Sequence, residues 1–209
     1  MHNTAMKYGK LFFNTYLKDA KNLKIVEIGS QNINGSLREG CPPGNEYVGL
    51  DFATGNGVDI VLQDAYSFPI ENESVDIVLS SSCFEHAEFF WLSFLEVQRI
   101  LKPNGLFYLN VPSNWQFHRY PVDCWRFYPD SSIALQNWGK RNGYNTRLLE
   151  TFMGEKDSYG WHDLVSVYLK DEQFVDLYAD KKMQSTLSTY TNGLTSNVVE
   201  YKNFWNMIS

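Results

Sequence analysis

A carboxylate and two glycines at the end of an apolar run are the residues best placed to do chemistry in this 209-residue chain. Glu27 lies within the run 23–28, and Gly29, Ser30 and Gly35 follow it. Glycine permits positive φ and a close approach of the backbone to a ligand. A carboxylate at the carboxyl end of a strand lies at the edge where open α/β folds bind ligands. The pattern therefore predicts a strand that ends in a nucleotide-cradling loop.

Polar and small residues follow the next apolar runs as well. Asp51 ends the second run, Asp64 and Ala65 follow the third, and Ser81 ends the fourth. An acid after the second strand can accept both ribose hydroxyl hydrogen bonds, and the acid beside Ala65 can meet an adenine edge. A dinucleotide site is the alternative, but Gln31 replaces the second glycine of G-x-G-x-x-G and the third is absent.

A second segment with chemical potential, residues 112–129, is too aromatic for an ordinary loop. In a Rossmann-like sheet, the connection after the fifth strand overhangs the ligand-binding edge. Its polar residues are therefore candidates to bind or deprotonate a substrate. The candidate side chains are Trp115, His118, Arg119, Tyr120, Asp123, Trp125 and Arg126.

His118 is the first candidate for a general base, because imidazole titrates near neutral pH. Asp123 is the second catalytic candidate, either orienting His118 or acting itself. Arg119 and Arg126 can fix a carboxylate or phosphate by bidentate contacts. Two structural alternatives stay open: Asp123 pairs with an arginine only to pin the loop, and His118 only bonds a backbone carbonyl.

These residues need a sheet to position them, and the apolar runs supply it. Helical spacing of apolar residues predicts further helices, with Lys102–Gly105 ending the second, and Gly143 ending a third that Asp130 or Ser131 caps. The predicted strands are Leu23–Ile28, Glu46–Asp51, Val58–Gln63, Ser74–Ser82, Leu106–Val111, Thr146–Met153 and Asp163–Leu169. The predicted helices are Ala5–Lys21, His86–Leu101 and Ser131–Asn142.

Taken together, residues 22–170 resemble the class I S-adenosylmethionine-dependent methyltransferases, in particular the type 11 methyltransferase-domain group. The resemblance implies an α/β fold, a Rossmann-like doubly wound, mostly parallel seven-stranded sheet whose last strand is antiparallel. It implies S-adenosyl-L-methionine as cofactor. The matching motifs are Glu27-Ile-Gly-Ser30, Gly49-Leu-Asp51, Asp64-Ala65, Val75-Asp-Ile-Val78 with Phe84-Glu-His86, and Arg99–Gly105.

The segment from His118 to Arg126 resembles one in type 11 methyltransferases that are associated with bacterial polysaccharide and glycan modification. This implies a sugar, glycan or related small-molecule acceptor methylated at oxygen, and Trp115, Tyr120 and Trp125 suit the apolar face of a sugar ring. The alternatives are N- or carboxyl-methylation of a non-sugar molecule, and a non-catalytic binding protein with the same fold.

Glu85 and His86 resemble a pair that contributes to a metal site in some quinone-type O-methyltransferases. The upstream acid of that arrangement is Ser82 in this chain. Adjacent residues also point in different directions on a helix. We therefore expect no metal, with Glu85 near the favourable end of a helix dipole and His86 on the pocket wall.

Composition limits the remaining possibilities. A net charge of −6 without a dense basic run disfavours a nucleic-acid surface. Three widely spaced cysteines, Cys41, Cys83 and Cys124, suggest neither a disulfide framework nor a zinc site. No apolar stretch reaches the ~20 residues that a transmembrane helix needs. We expect a soluble, cytoplasmic protein with no membrane span.

We divide the chain into an N-terminal helix at residues 1–21, a methyltransferase domain at 22–170 and a C-terminal extension at 171–209. The extension contains a charged helical piece, Glu172–Lys182, a Ser/Thr/Asn-rich run, Ser185–Asn197, and an amphipathic end, Val198–Trp205. We expect the extension to be a mobile segment or a helix packed on its own domain. The alternatives that give it a function are a substrate lid and a homodimer contact.

Overall fold

The computed structural model describes residues 2–196 and 200–204, which form one eight-stranded sheet with helices on both faces. The helices are α1 (Asn3–Tyr16), α2 (Phe90–Ile100) and α3 (Pro129–Arg141). The strands are β1 (Lys24–Ile28), β2 (Glu46–Asp51), β3 (Ile60–Val61), β4 (Val75–Ser81), β5 (Leu101–Pro112), β6 (Arg147–Met153), β7 (Asp163–Leu169) and β8 (Thr191–Thr195).

The strand order is β3-β2-β1-β4-β5-β7-β6-β8, and the first five strands of the chain run parallel. Ile28 of β1 lies beside Leu50 of β2 and Ser80 of β4. The loops that follow these three strands therefore leave the sheet at one edge. The predicted α/β class and doubly wound, mostly parallel sheet are confirmed.

The antiparallel part of the sheet is larger than predicted. β7 pairs antiparallel with β5 and with β6, as expected for the seventh strand, and β8 then adds antiparallel to the outer side of β6. The prediction of seven strands is therefore one short. The Ser/Thr/Asn-rich run lacks the apolar alternation that signals a strand, and it becomes one because β6 offers an unpaired edge.

Residues 172–187 of the C-terminal extension are packed on the domain. The charged piece forms a short 3-10 helix, Glu172–Tyr178, rather than the longer helical segment predicted. Farther on, the backbone N–H groups of Met183 and Gln184 donate to the buried carboxylate of Glu150 in β6, at 2.7 and 3.1 Å. The predicted amphipathic end, Val198–Trp205, lies partly outside the described residues.

α1 covers one face of the sheet, and α2 and α3 cover the other. Tyr8, Phe12 and Phe13 of α1 pack on Ile25 and Tyr108. On the opposite face the main cluster contains Phe94, Val97, Phe107 and Leu135. The predicted first helix is confirmed, although it ends at Tyr16.

The predicted helix His86–Leu101 is wrong at its start. Phe84–His86 forms a 3-10 turn, and α2 begins only at Phe90. The backbone carbonyl of Glu85 accepts the N–H groups of Cys124 and Trp125, and that of Ala87 accepts the indole N–H of Trp125. These carbonyls serve the loop 113–128 instead of a first helical turn.

The third helix begins earlier than predicted and without the predicted cap. Pro129 occupies its first turn after Tyr128, and no side chain caps it. Gly143 follows its end with φ +89°, as the sequence predicted.

Candidate active site at the carboxyl edge of the sheet

The loop after β1 is built around Gly29. The backbone has φ +74° there, and a Cβ would lie 2.6 Å from the Cβ and Sγ of Cys83. Only glycine satisfies both constraints. The N–H groups of Gly29 and Ser30 donate to the carbonyl of Leu50, so the first predicted cofactor residues turn away from the sheet beside the end of β2.

Glu27 is buried in β1, with 2% of its surface exposed, and accepts a hydrogen bond from the Tyr47 hydroxyl at 2.7 Å. Burial raises the pKa of this carboxyl to about 7, although the Tyr47 bond works against the rise. Glu27 is therefore an acid whose charge changes near neutral pH.

Asp51 ends β2 and is almost fully buried. Its carboxylate accepts the backbone N–H of Gln31 at 3.0 Å and that of Ala53 at 3.3 Å. Gln31, which the sequence presents only as a departure from a glycine motif, thus links the loop after β1 to the acid after β2. Each Asp51 oxygen keeps a lone pair for a ligand hydroxyl.

At this edge, the buried hydroxyls of Ser30, Ser81 and Ser82 make no hydrogen bond within the described residues. Ser30 and Ser81 are at most 3% exposed. Because buried hydroxyls without partners are costly, they mark a place where a polar ligand supplies the missing partners. Gly29, Asp51 and these serines together fit a nucleoside-containing cofactor.

The predicted cofactor residues Asp64, Ala65 and Gly35 lie in loops outside the buried group described above. Asp64 and Ala65 are exposed after β3, and Asp64 accepts the backbone N–H of Tyr66 at 2.8 Å. Gly35 has φ +127° in a turn closed by Asn32, where a Cβ would lie 3.4 Å from the sulfur of Met6. That distance is an ordinary contact, so the positive φ, and not the space beside α1, is what favours glycine at position 35.

Asp123 and Arg126 pin the loop 113–128. The Asp123 side chain is 2% exposed and forms a bidentate ion pair with Arg126 at 2.6 and 2.8 Å. Arg126 holds the pKa of this carboxyl down at about 2. Arg126 also donates to the carbonyls of Gln116 and Trp125. These contacts favour the pinning alternative for Asp123 and leave Arg126 engaged within the loop.

His118 is held in place by Asp123 and by the loop backbone. Its backbone N–H donates to Asp123 at 2.7 Å, and its Nδ1 lies 3.2 Å from the Gln116 carbonyl and 3.4 Å from Asp123. About a third of the side chain is exposed. The imidazole is thus fixed through Nδ1 and reaches solvent.

Glu85 and His86 join His118, although 32 residues separate the two histidines. Glu85 is 1% exposed, and burial raises the pKa of its carboxyl to about 8. The His86 ring lies perpendicular to that of His118, with 5.0 Å between centroids. Ligand atoms of the three side chains all lie within 4.8 Å of one another. The sequence places Glu85 and His86 together, but it carries no signal that His118 reaches them.

The aromatic residues of the loop do not form a single surface. Trp115, with φ +108°, stacks on Trp161 at 4.8 Å, and Trp161 stacks on His2 at 4.8 Å. Trp125 packs against Phe90 instead. Exposed side chains of the loop include Phe117, Arg119, Tyr120, Trp125 and Tyr128, of which Phe117 and Tyr128 are not among the residues predicted from the sequence.

A cavity of about 310 Å³ lies between the end of β5 and the start of α3. Its walls include Ser113, Tyr128, His162 and, from the C-terminal extension, Tyr201 and Phe204. Burial lowers the pKa of His162. The extension thus contributes to a concave surface beside the loop 113–128.

A methyltransferase domain family matches residues 35–109 of the chain. Among solved structures, the chain is similar to the 1,6-didemethyltoxoflavin-N1-methyltransferase of Burkholderia thailandensis, solved with bound S-adenosylhomocysteine. Identity is 13%, the alignment covers 80% of this chain and 79% of that one, and the TM-score is 0.62.

Two further structures show the same fold. YcgJ from Bacillus subtilis is 13% identical, over 79% of this chain and 99% of that one, with a TM-score of 0.55. The [4+2]-cyclase SpnF is 12% identical, over 79% and 81%, with a TM-score of 0.58. A search of curated proteins gave no match.

By its methyltransferase domain, the chain is an S-adenosylmethionine-dependent methyltransferase. Across residues 2–196 and 200–204, no helix combines the length and hydrophobicity that crossing a membrane requires.

Proposed function

We propose that this S-adenosylmethionine-dependent methyltransferase transfers its methyl group to a hydroxyl oxygen of a sugar, glycan or related small metabolite. The observation that carries the proposal is the position of His118. Its imidazole is fixed by Asp123 and Gln116, and its ring meets the edge of Trp161 at 5.5 Å. A polar group and aromatic rings thus lie side by side, a combination that suits a sugar ring.

The cofactor is assigned to the edge formed by β1, β2 and β4. Asp51 would accept the ribose hydroxyl hydrogen bonds, and the buried hydroxyls of Ser30 and Ser81, which lack partners within the described residues, would gain them. When bound, the cofactor supplies an electrophilic methyl group on a sulfonium. The residues assigned to it are Glu27, Gly29, Ser30, Gly35, Asp51, Asp64, Ala65 and Ser81.

The acceptor is assigned to the loop 113–128. Trp115 and Tyr120 offer ring faces, Arg119 offers a charged group at the exposed side, and His118 prepares the oxygen for attack. The acceptor oxygen would form a bond to the methyl carbon as the carbon–sulfur bond breaks; S-adenosylhomocysteine would be the leaving group, and His118 would take the hydroxyl proton. Holding the two reactants in line accounts for much of the rate, up to ~7–11 kcal/mol of the barrier.

The test begins with calorimetric titration of the protein with S-adenosylhomocysteine, with NAD as comparison. We expect micromolar binding of the former alone. Asp51→Ala should weaken that binding by about 1.5–3 kcal/mol, because it removes a charged hydrogen-bond acceptor; unchanged affinity would contradict the ribose assignment.

Nucleotide sugars and glycans are then screened as acceptors. With an alcohol acceptor, His118→Ala should keep the wild-type affinity for S-adenosylhomocysteine and lose turnover. Persisting turnover at neutral pH would remove His118 from the reaction.

Methylation at nitrogen is the second candidate. The Burkholderia thailandensis protein with this fold is, by its name, an N1-methyltransferase. A nitrogen acceptor with a free lone pair needs less base catalysis, so His118→Ala should then retain most of the turnover. The acceptor screen therefore includes nitrogen heterocycles.

A further inference from the structure

We infer that Glu85, His86 and His118 form a binding site for one first-row divalent cation, such as Zn²⁺ or Mn²⁺, at the acceptor side. The three side chains come from two segments, the 3-10 turn after β4 and the loop 113–128. Each offers one ligand atom, and these atoms all lie within 4.8 Å of one another. Two imidazoles and one carboxylate are a donor set that such cations favour.

His86 is oriented as a metal ligand is. Its Nδ1 is hydrogen bonded to the backbone carbonyl of Val122, which requires the proton to be on Nδ1. Its Nε2 therefore carries the free lone pair, and it lies 3.7 Å from a carboxylate oxygen of Glu85. A carbonyl that fixes the far nitrogen of an imidazole is the usual outer contact of a metal-bound histidine.

Glu85 supplies the independent observation. The side chain is 1% exposed, and its Oε2 makes no hydrogen bond within the described residues. A buried carboxylate oxygen without a partner is costly, and Arg126, the nearby cation of the loop, is already paired with Asp123. A divalent cation between Glu85 and His86 would supply the missing partner.

His118 completes the site from the solvent side. Its ring is perpendicular to that of His86, and about a third of its side chain is exposed. Bond lengths of ~2.0–2.2 Å place the ligands of one cation at most roughly 4 Å apart. Binding of a cation would therefore require His118 to move closer to Glu85 and His86 by a small side-chain rotation. Positions facing solvent remain open for an acceptor.

A catalytic role for this cation rests on the proposed function. When bound, the cation would lower the pKa of a hydroxyl that it contacts, so the acceptor proton would pass to water and His118 would serve as a ligand. The general-base role predicted for His118 is the competing mechanism. A chelator should stop turnover by the metal-assisted mechanism and should not affect turnover by the general-base mechanism.

The test uses the full chain, stripped with a chelator and titrated with Co²⁺ alone, with visible absorption as the readout. We expect saturable binding at one Co²⁺ per chain. Glu85→Gln and His118→Ala should each weaken it by about tenfold or more. His2→Ala is the matched control, because His2 also pairs with a buried carboxylate, that of Asp163, at 2.9 Å. Its Co²⁺ affinity should equal that of the wild type.

Binding that is seen only at millimolar Co²⁺, or that neither site variant weakens, would overturn the inference. S-adenosylhomocysteine affinity is measured on every variant to show that it is folded. Turnover that continues in excess chelator overturns the metal site and leaves the proposed function standing. Co²⁺ binding without any binding of S-adenosylhomocysteine overturns the proposed function and leaves the metal site standing.

Discussion

At the scale of single residues, the burial of Glu27 makes the folding stability of the protein depend on pH. A carboxyl with a folded pKa of about 7, against its usual value of 4.5, favours the folded state most below pH 4.5. That contribution is lost as the pH rises through 7. The protein therefore holds a group at its ligand-binding edge that costs folding free energy when it is charged.

Glu27→Gln should remove this pH dependence. Between pH 5 and pH 8, the free energy of unfolding of the wild type should fall relative to that of the variant by on the order of 2 kcal/mol. Urea denaturation at the two pH values measures the difference. Glu46→Gln, at the exposed start of β2, is the control and should follow the wild type. Parallel curves for Glu27→Gln and wild type would contradict the assignment.

The residues at strand ends could be predicted, because apolar runs reveal where strands stop. Asp51 and Ser81 lie at the edge that the sequence indicates. The contact between His86 and His118 could not be predicted, because it depends on the path of an irregular loop. The same is true of Gln31, whose contribution is its backbone N–H.

At the scale of elements, the loop 113–128 is held as one unit. The Asp123–Arg126 pair closes it from within, and Glu85 and Ala87 accept its N–H groups from the turn before α2. Because the frame is set by ion pairing and backbone bonds, the position of His118 depends on Asp123. We therefore propose that Asp123 positions His118.

Asp123→Asn should leave S-adenosylhomocysteine affinity within about twofold of wild type and lower kcat for the acceptor by up to roughly 100-fold, the scale expected for a small misplacement of a reacting group. Steady-state kinetics and calorimetry test this pair of outcomes. Lys140→Gln, which breaks the exposed pair with Glu172, is the control and should retain wild-type kinetics. An equal loss in both variants would show that Asp123 has no special role.

The bounds of elements were predicted correctly where apolar periodicity is strong. They were wrong where the loop 113–128 bonds to an element, as it does just before α2. β2 and β7 have the predicted bounds. The helix after β4 starts late because distant N–H groups occupy its first carbonyls. Such competition comes from tertiary structure and leaves no local pattern.

At the scale of the whole molecule, residues 183–195 are integral to the sheet. β8 covers the outer edge of β6, and the buried Glu150 accepts hydrogen bonds from Tyr16 and from the N–H groups of Met183 and Gln184. The boundary at residue 170, drawn where the family resemblance ends, therefore separates parts that share a core.

A chain ending at Lys182 should lose several kcal/mol of stability, because Glu150 loses two charge-assisted hydrogen bonds worth about 1.5–3 kcal/mol each. It should also self-associate through the exposed edge of β6. Thermal denaturation and light scattering after gel filtration measure the two effects. Glu150→Gln in the shortened chain should recover part of the stability but leave the self-association. A stable monomer would contradict the role assigned to β8.

The stacked rings of the acceptor side have a practical consequence. Trp115 stacks on Trp161, and Trp91 meets Trp125, so four of the six tryptophans of the chain lie around one loop. Indole emission depends on what the ring contacts. Most of the tryptophans that can contribute to intrinsic fluorescence therefore lie where the acceptor is assigned, and a change in emission can report which compounds bind there.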